Sequence, residues 1–156
     1  MAASVTIEPP DASQAGELAE LWTNLAAGQR AYGSHIRAEA NTEQIHQSIL
    51  RHITADRLLI ARTDELSGFV MFSLEQGSFE QDVRRGFVEN LYVRPPDRND
   101  GIGSALLDAA ERALRDRGAE TVALNVMATN EDARRFYRRH GYGPYRVELE
   151  KSLGEE

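Results

Sequence analysis

The chain has 156 residues, 25 acidic against 18 basic side chains, a formal net charge of −7 and no cysteine. That length suits one domain, expected to run over 1–156, with a single core. The charge argues against a general nucleic-acid binder, no apolar run approaches the length of a membrane span, and without cysteine there are no disulfides, thiolate metal ligands or cysteine nucleophiles.

The opening MAASVTIEPP lacks the basic start and apolar stretch of a secretory signal, so a cytoplasmic protein is the expectation. Lys151 is the only lysine, so almost all positive charge is arginine. Ser4 to Glu8 reads as a first strand closed by Pro9-Pro10. Asp11 then caps a helix reaching about Gly28, with Leu18, Leu21, Trp22 and Leu25 on one face. Gln29 to Ala40 has no period, and Gly33-Ser34 marks a loop. A second helix is expected over Thr42 to Ile53, capped by Asn41 or Thr42, with Ile45, Ile49 and Ile53 at four-residue spacing. Leu58–Arg62 and Leu66–Leu74 form a hairpin around Asp64-Glu65, followed by a polar connection from Gln76 to Asp82. Gly86 to Arg94 is the central strand, ended by Pro95-Pro96, which have no N–H for a ladder. Leu106, Leu107, Ala110 and Leu114 make the apolar stripe of a helix that Gly118 ends. Thr121 to Met127 is a buried strand, Asn130 caps a helix that Gly141 ends, and Tyr145 to Leu149 is a last strand.

The informative stretch runs from the central strand through the loop Asp97–Asp100 into Gly101-Ile102-Gly103 and the next helix. The first amides of a helix lack partners within it and lie at the positive end of its dipole. Glycine lets a phosphate approach them closely, and Arg98 adds a positive charge at the mouth. Two familiar phosphate loops do not fit. A Walker A loop needs Gly-Lys-Ser/Thr, whereas Gly103 is followed by Ser104-Ala105. A dinucleotide fingerprint needs glycine where Leu106 stands.

Arg98-Asn-Asp-Gly101-Ile-Gly103 resembles the Arg/Gln-x-x-Gly-x-Gly/Ala loop of the GNAT (Gcn5-related) N-acetyltransferase superfamily. Asn130-Glu-Asp-Ala133-Arg-Arg-Phe136-Tyr137, followed by Gly141-Tyr142, resembles that superfamily's second signature. The resemblance implies an α/β fold in which a mixed sheet carries helices on both faces. It implies acetyl transfer from acetyl-CoA straight to a bound primary amine, with no metal. By resemblance, Arg98, Asn99, Asp100, Gly101, Ile102, Gly103 and Ser104 wrap the CoA pyrophosphate. Leu91 and Val93 pair through their backbone with pantetheine, in a splay between the central strand and the Thr121–Met127 strand. Asn130 and Ala133 lie along the pantetheine arm, and Tyr137 is the proton donor to the leaving thiolate. Tyr32, His35, Arg37 and Glu39 are candidates for acceptor contact, since this region lines the acceptor site in the superfamily.

Strict alternation places Glu89 on one strand face with Phe87, Leu91 and Val93. A charge there is costly unless paired or useful. Two readings stand: a general base for the amine, or a structural ion pair with an arginine such as Arg85. His35, His46, His52 and His140 have no metal-ligand spacing, and a structural or surface role is expected for each. No serine sits in a nucleophile elbow, so an acyl-enzyme has no carrier. The acidic balance favours a cationic acceptor, while no nucleic acid or membrane partner is expected and a homodimer is left open. Two alternatives remain: an acyl-CoA-binding regulatory module without turnover, and transfer of a longer acyl group.

Overall fold

The structure, a computed structural model, describes residues 4–77 and 79–154. Its framework is a mixed sheet of five strands in sequential order: β1 (Thr6–Glu8), β2 (Leu58–Arg62), β3 (Leu66–Leu74), β4 (Arg85–Val93) and β5 (Thr121–Leu124). The first four are antiparallel, and β5 joins β4 in parallel. Parallel pairing requires a crossover, which α3 (Ile102–Asp116) provides. The other helices are α1 (Ala15–Gln29), α2 (Thr42–Thr54) and α4 (Glu131–Arg139). Among the described residues no helix is long and apolar enough to cross a membrane.

The helices cover both faces of the sheet. On one, Leu18 and Leu21 of α1 and Ile45 and Ile49 of α2 pack against Leu58, Ile60, Phe69, Met71 and Tyr92. On the other, Ile102, Leu106, Leu107, Ala110 and Leu114 of α3 pack on Val70, Phe72 and Val88, and Phe136, Tyr137 and Tyr142 extend this cluster. The apolar stripe of α3 is thus explained by its face against the sheet. Each such leucine, fully buried, contributes roughly 1.5–3 kcal/mol.

Local details depart from expectation in instructive ways. A short 3-10 turn, Ala12–Gln14, precedes α1, and the Gln14 side chain accepts from the Asp11 amide at 3.1 Å. Asn41 precedes α2, but its side chain donates backward to the Arg37 carbonyl at 2.7 Å instead of capping the helix. Of the expected Gln76–Asp82 connection, residue 78 lies outside the described residues. β5 ends at Leu124, three residues short of the expected Met127, and it is half-exposed rather than buried. The expected last strand, Tyr145–Leu149, is not one. It pairs with no strand, and Tyr145, Val147 and Leu149 are 78%, 75% and 88% exposed. Alternation of apolar residues made it resemble a strand, but a strand also needs a ladder partner. The Arg85 guanidinium over the Tyr145 ring and the exposed His35–Glu150 contact are its attachments.

Candidate active site

The register of β4 organises the site. Met71 faces Asn90 and the next residue, Phe72, faces Val88, so Glu89 is an extra residue on β4, a β-bulge. A bulge bends and twists its strand and shifts the alternation of faces. Val88, three residues from Leu91, therefore shares the α3 face with Leu91 and Val93, while Tyr92 joins the α1–α2 face. Glu89 itself reaches α2. The expectation that Glu89 shares a face with Leu91 and Val93 is thus corrected: strict alternation does not survive a bulge.

The parallel ladder with β5 runs from Arg85–Thr121 to Val88–Leu124 and stops there. Beyond it β4 continues for five residues, Glu89 to Val93, past the end of β5. The unpaired end of β4 lies where the resemblance expects a splay between the two strands. One of its backbone acceptors is occupied: Arg98 Nε donates to the Val93 carbonyl at 2.7 Å, with its guanidinium over the Tyr92 ring.

At the far end of the opening lies the start of α3. Asn99 (φ 69°) and Gly101 (φ 83°) are both in the left-handed region, which asparagine tolerates and glycine prefers. Successive turns of this kind aim backbone N–H groups into one concavity. Gly101 provides no side-chain cap, and the first intrahelical bond is Ala105 N–H to the Gly101 carbonyl at 3.0 Å. The amides of Ile102, Gly103 and Ser104 therefore precede the ladder, open to an anion along the helix axis. A Cβ at Gly103 would meet the Phe136 ring at 3.5 Å and Val93 Cγ2 at 3.8 Å, an ordinary contact. Gly103 thus lies where α3, α4 and β4 converge. The Ser104 hydroxyl is 2.9 Å from His140 Nε2, and His140 stacks beside Phe136 with ring centres 4.7 Å apart.

Asn130 caps α4: its Oδ1 accepts from the Ala133 amide at 3.1 Å, so both residues are committed to the helix start. Glu131 and Asp132 occupy the first turn, where the dipole favours them. Phe136 and Tyr137 make an edge-to-face pair at 5.2 Å, and Tyr137 does the same with Tyr142 at 5.8 Å. The Tyr142 hydroxyl donates to Glu111 at 2.6 Å. No comparable bond holds the Tyr137 hydroxyl among the described residues. Burial pushes its pKa up to about 12, so it stays protonated at neutrality.

Glu89 is held by His52, for which the sequence suggests a structural or surface role without naming a partner. His52, in the last turn of α2 and 7% exposed, has Nε2 at 3.1 Å from both Glu89 carboxylate oxygens. Burial alone would raise the Glu89 pKa. The His52 hydrogen bond and charge, with Ser73 and Arg57 acting in the same direction, together outweigh it, so the carboxyl is held below its ordinary value. The proposed Arg85 pairing is corrected: Arg85 Nη1 bonds Glu75 at 3.2 Å instead. The available signal for His52 was a histidine at helical spacing from Ile45 and Ile49. That spacing marks a core face without naming what stands opposite.

The α1–α2 connection reaches across the same region. Thr129 Oγ1 donates to the Tyr32 carbonyl at 3.0 Å, and Gly33 lies beside Met127, tying it to the chain leaving β5. A narrow cleft lined by Trp22, Leu25, Gln29, Ser34, Ile36 and Asn90 lies between this connection and the bulge. His35 turns to Glu150, Arg37 gives its carbonyl to Asn41, and Glu39 opens a 3-10 turn; none is brought to Glu89. A larger depression of about 480 Å³, lined by Glu75, Arg84, Arg85 and Glu120, sits at the opposite end of β4. Arg85 and its partner Glu75 line it, and none of the cofactor- or acceptor-contact candidates does.

Residues 11–142 match the model of the Acetyltransferase (GNAT) family. The chain is similar to the aminoalkylphosphonate N-acetyltransferase of Salmonella typhimurium, 41% identical over 68 residues, covering 44% of each chain. It is also similar to an N-alpha-acetyltransferase of Sulfurisphaera tokodaii, 32% identical over 95 residues, covering 56% of this chain and 57% of the relative. The chain thus spans about half the length of the curated relatives it matches. In fold it is similar to the PaiA N-acetyltransferase of Thermoplasma acidophilum, solved in complex with coenzyme A, at a TM-score of 0.78 with 19% identity and 93% of both chains covered.

Proposed function

The chain belongs to the acetyltransferase (GNAT) family, and from that premise we propose that it transfers an acetyl group from acetyl-CoA directly to a primary amine. The observation that carries the reading is the parting of β4 from β5 after Val88–Leu124, with the uncapped start of α3 beyond it. The opening leaves backbone groups of β4 free for an extended pantetheine arm. The Ile102, Gly103 and Ser104 amides suit its pyrophosphate, with Asn99, Asp100 and Gly101 shaping the loop and Arg98 bracing the strand end. Asn130 and Ala133, through the helix start they build, flank the arm.

The chemistry then divides among few residues. An acceptor amine enters by the cleft beside Asn90 and meets the thioester near the bulge, the two held together so that attack is effectively intramolecular. A β4 backbone N–H stabilises the developing oxyanion. Glu89 takes the proton that the ammonium must lose, and Tyr137 protonates the departing sulfur. Tyr137 suits that part because its phenol, with a pKa of about 12, carries its proton into the reaction.

Relatives of this chain are named for aminoalkylphosphonates and for N-alpha amines, so the informative acceptors are 2-aminoethylphosphonate, spermidine, free lysine and a peptide with an open N-terminus. The test is thiol release from acetyl-CoA with each. Release above the amine-free rate, with the acetylated amine found by mass spectrometry, supports the reading. Tight acetyl-CoA binding without product from any class would favour a binding module instead.

A further inference from the structure

We infer that His52 and Glu89 work as one base, holding a single proton between His52 Nε2 and the carboxylate and taking that proton from the acceptor's ammonium. The inference rests on the acetyl-transfer reading and adds a positioning residue, His52, that shares the proton Glu89 collects.

The ring leaves little freedom. Its Nδ1 is 2.7 Å from the Ser48 carbonyl, and a carbonyl only accepts, so Nδ1 carries a hydrogen. Its Nε2 is 3.1 Å from both carboxylate oxygens. A bare lone pair there would face two anionic oxygens, so the contact is attractive only with a proton between them. The exchangeable proton of this cluster therefore belongs to the pair. Its other neighbours do not titrate near neutrality: the Ser73 hydroxyl on β3 and the Arg57 guanidinium ahead of β2. Leu18, Leu21 and Trp22 of α1, and Ile45 and Ile49 of α2, pack on this side of the sheet as apolar groups.

Position supplies the second half. Glu89 is the bulge residue next to Val88, the last ladder position before β4 leaves β5. Its side chain is 32% exposed while that of His52 is 9%, so protons reach the pair through Glu89. In the step, one ammonium N–H bond breaks and its electron pair stays on nitrogen as the nucleophile. The proton settles between a Glu89 oxygen and His52 Nε2. The amine goes from +1 to neutral as the pair goes from −1 to neutral. Between turnovers the pair returns the proton to water past the exposed edge of Glu89. Facing a protonated His52, the carboxylate is held below its ordinary value and is a poor acceptor for an ammonium proton, whereas facing an unprotonated imidazole it is a much better one.

The test compares wild type, His52→Gln, Glu89→Gln and the double variant, with 2-aminoethylphosphonate, spermidine and an N-terminally open peptide as acceptors. Glutamine at 52 can still donate to Glu89 but cannot take up a proton. Wild-type kcat/KM should rise with pH through one proton loss. Each single variant should lose that limb and fall on the order of 10²-fold at its plateau, with the double no worse than either single within about threefold. ¹⁵N spectra should show two N-bound protons on the His52 ring at neutral pH, and one in Glu89→Gln. A wild-type limb retained in His52→Gln, multiplicative losses in the double, or a singly protonated ring in wild type would overturn the pair. Should His52→Gln fail to fold, Glu89→Gln and the ring spectra decide. Failure of acetyl-CoA to bind at all would instead remove the transfer reading beneath it.

Discussion

Val88 and Leu124 form the last pair of the β4–β5 ladder, and the next residue of β4, Glu89, is the bulge. The parallel ladder therefore ends where β4 also gains an extra residue, and a bulge bends its strand. The same irregularity interrupts the alternation of faces and brings the Glu89 carboxylate to His52 of α2. Gly103 at the start of α3 meets Phe136 of α4 and Val93 of β4, so the candidate groups come from β4, α3 and α4, with β5 between the last two in the chain.

Tyr137→Phe keeps the ring and its edge-to-face contacts with Phe136 and Tyr142 while removing only the hydroxyl. Acetyl-CoA affinity should stay within a few-fold, and kcat should fall by roughly 10²–10⁴ where chemistry limits the rate. Steady-state kinetics with a single-turnover control check this. An unchanged single-turnover rate would leave Tyr137 as packing.

The Glu89 carboxyl is held below its ordinary value by His52, against the opposing effect of burial. A depressed folded pKa contributes stability that is present above the unfolded glutamate value, about 4.3, and lost as pH falls through the folded value. The melting temperature of wild type should therefore drop more steeply than that of Glu89→Gln as the pH is taken from about 5 to 3. Parallel slopes in a thermal-melt series would show that the pair contributes nothing to acid stability.

Any preference for cationic acceptors should be sensitive to salt. Glu89 is offset locally by His52 and Arg57, so attraction must come from the wider surface, with its net charge of −7. Raising ionic strength to about 0.5 M shortens the Debye length to a few ångströms. It should reduce kcat/KM for spermidine several-fold and leave an uncharged-tail amine such as ethanolamine nearly unchanged. Equal salt slopes for the two amines would contradict this.

What the sequence disclosed divides along local and non-local lines. The start of α3, the Asn130 cap and the left-handed Gly118 and Gly141 depend on neighbours within a few residues, and each stands where sequence reading places it. The side on which Glu89 lies depends on how β3 and β4 slide past each other, and nothing within β4 alone announces an extra residue. His52 meets Glu89 across 37 positions of chain, so neither residue signals the other. The Thr121–Met127 stretch has the β-branched and apolar composition of a longer strand, but β5 pairs with β4 only as far as Leu124. Tyr145 to Leu149 alternates like a strand but pairs with none of the described strands.

Acetyl-CoA binding at the start of α3 and along the end of β4 is what the proposed function requires first. The most direct measurement is calorimetric titration of acetyl-CoA into wild type, Gly103→Ala and Gly103→Asp. Alanine adds a methyl at ordinary contact distance from Phe136 and should bind within a few-fold of wild type. Aspartate brings a negative charge to the first turn of α3, beside the expected phosphates, and should weaken binding by at least 10-fold, with one site per chain in wild type. No binding to wild type, or equal affinity across all three proteins with their folds intact, would contradict the account.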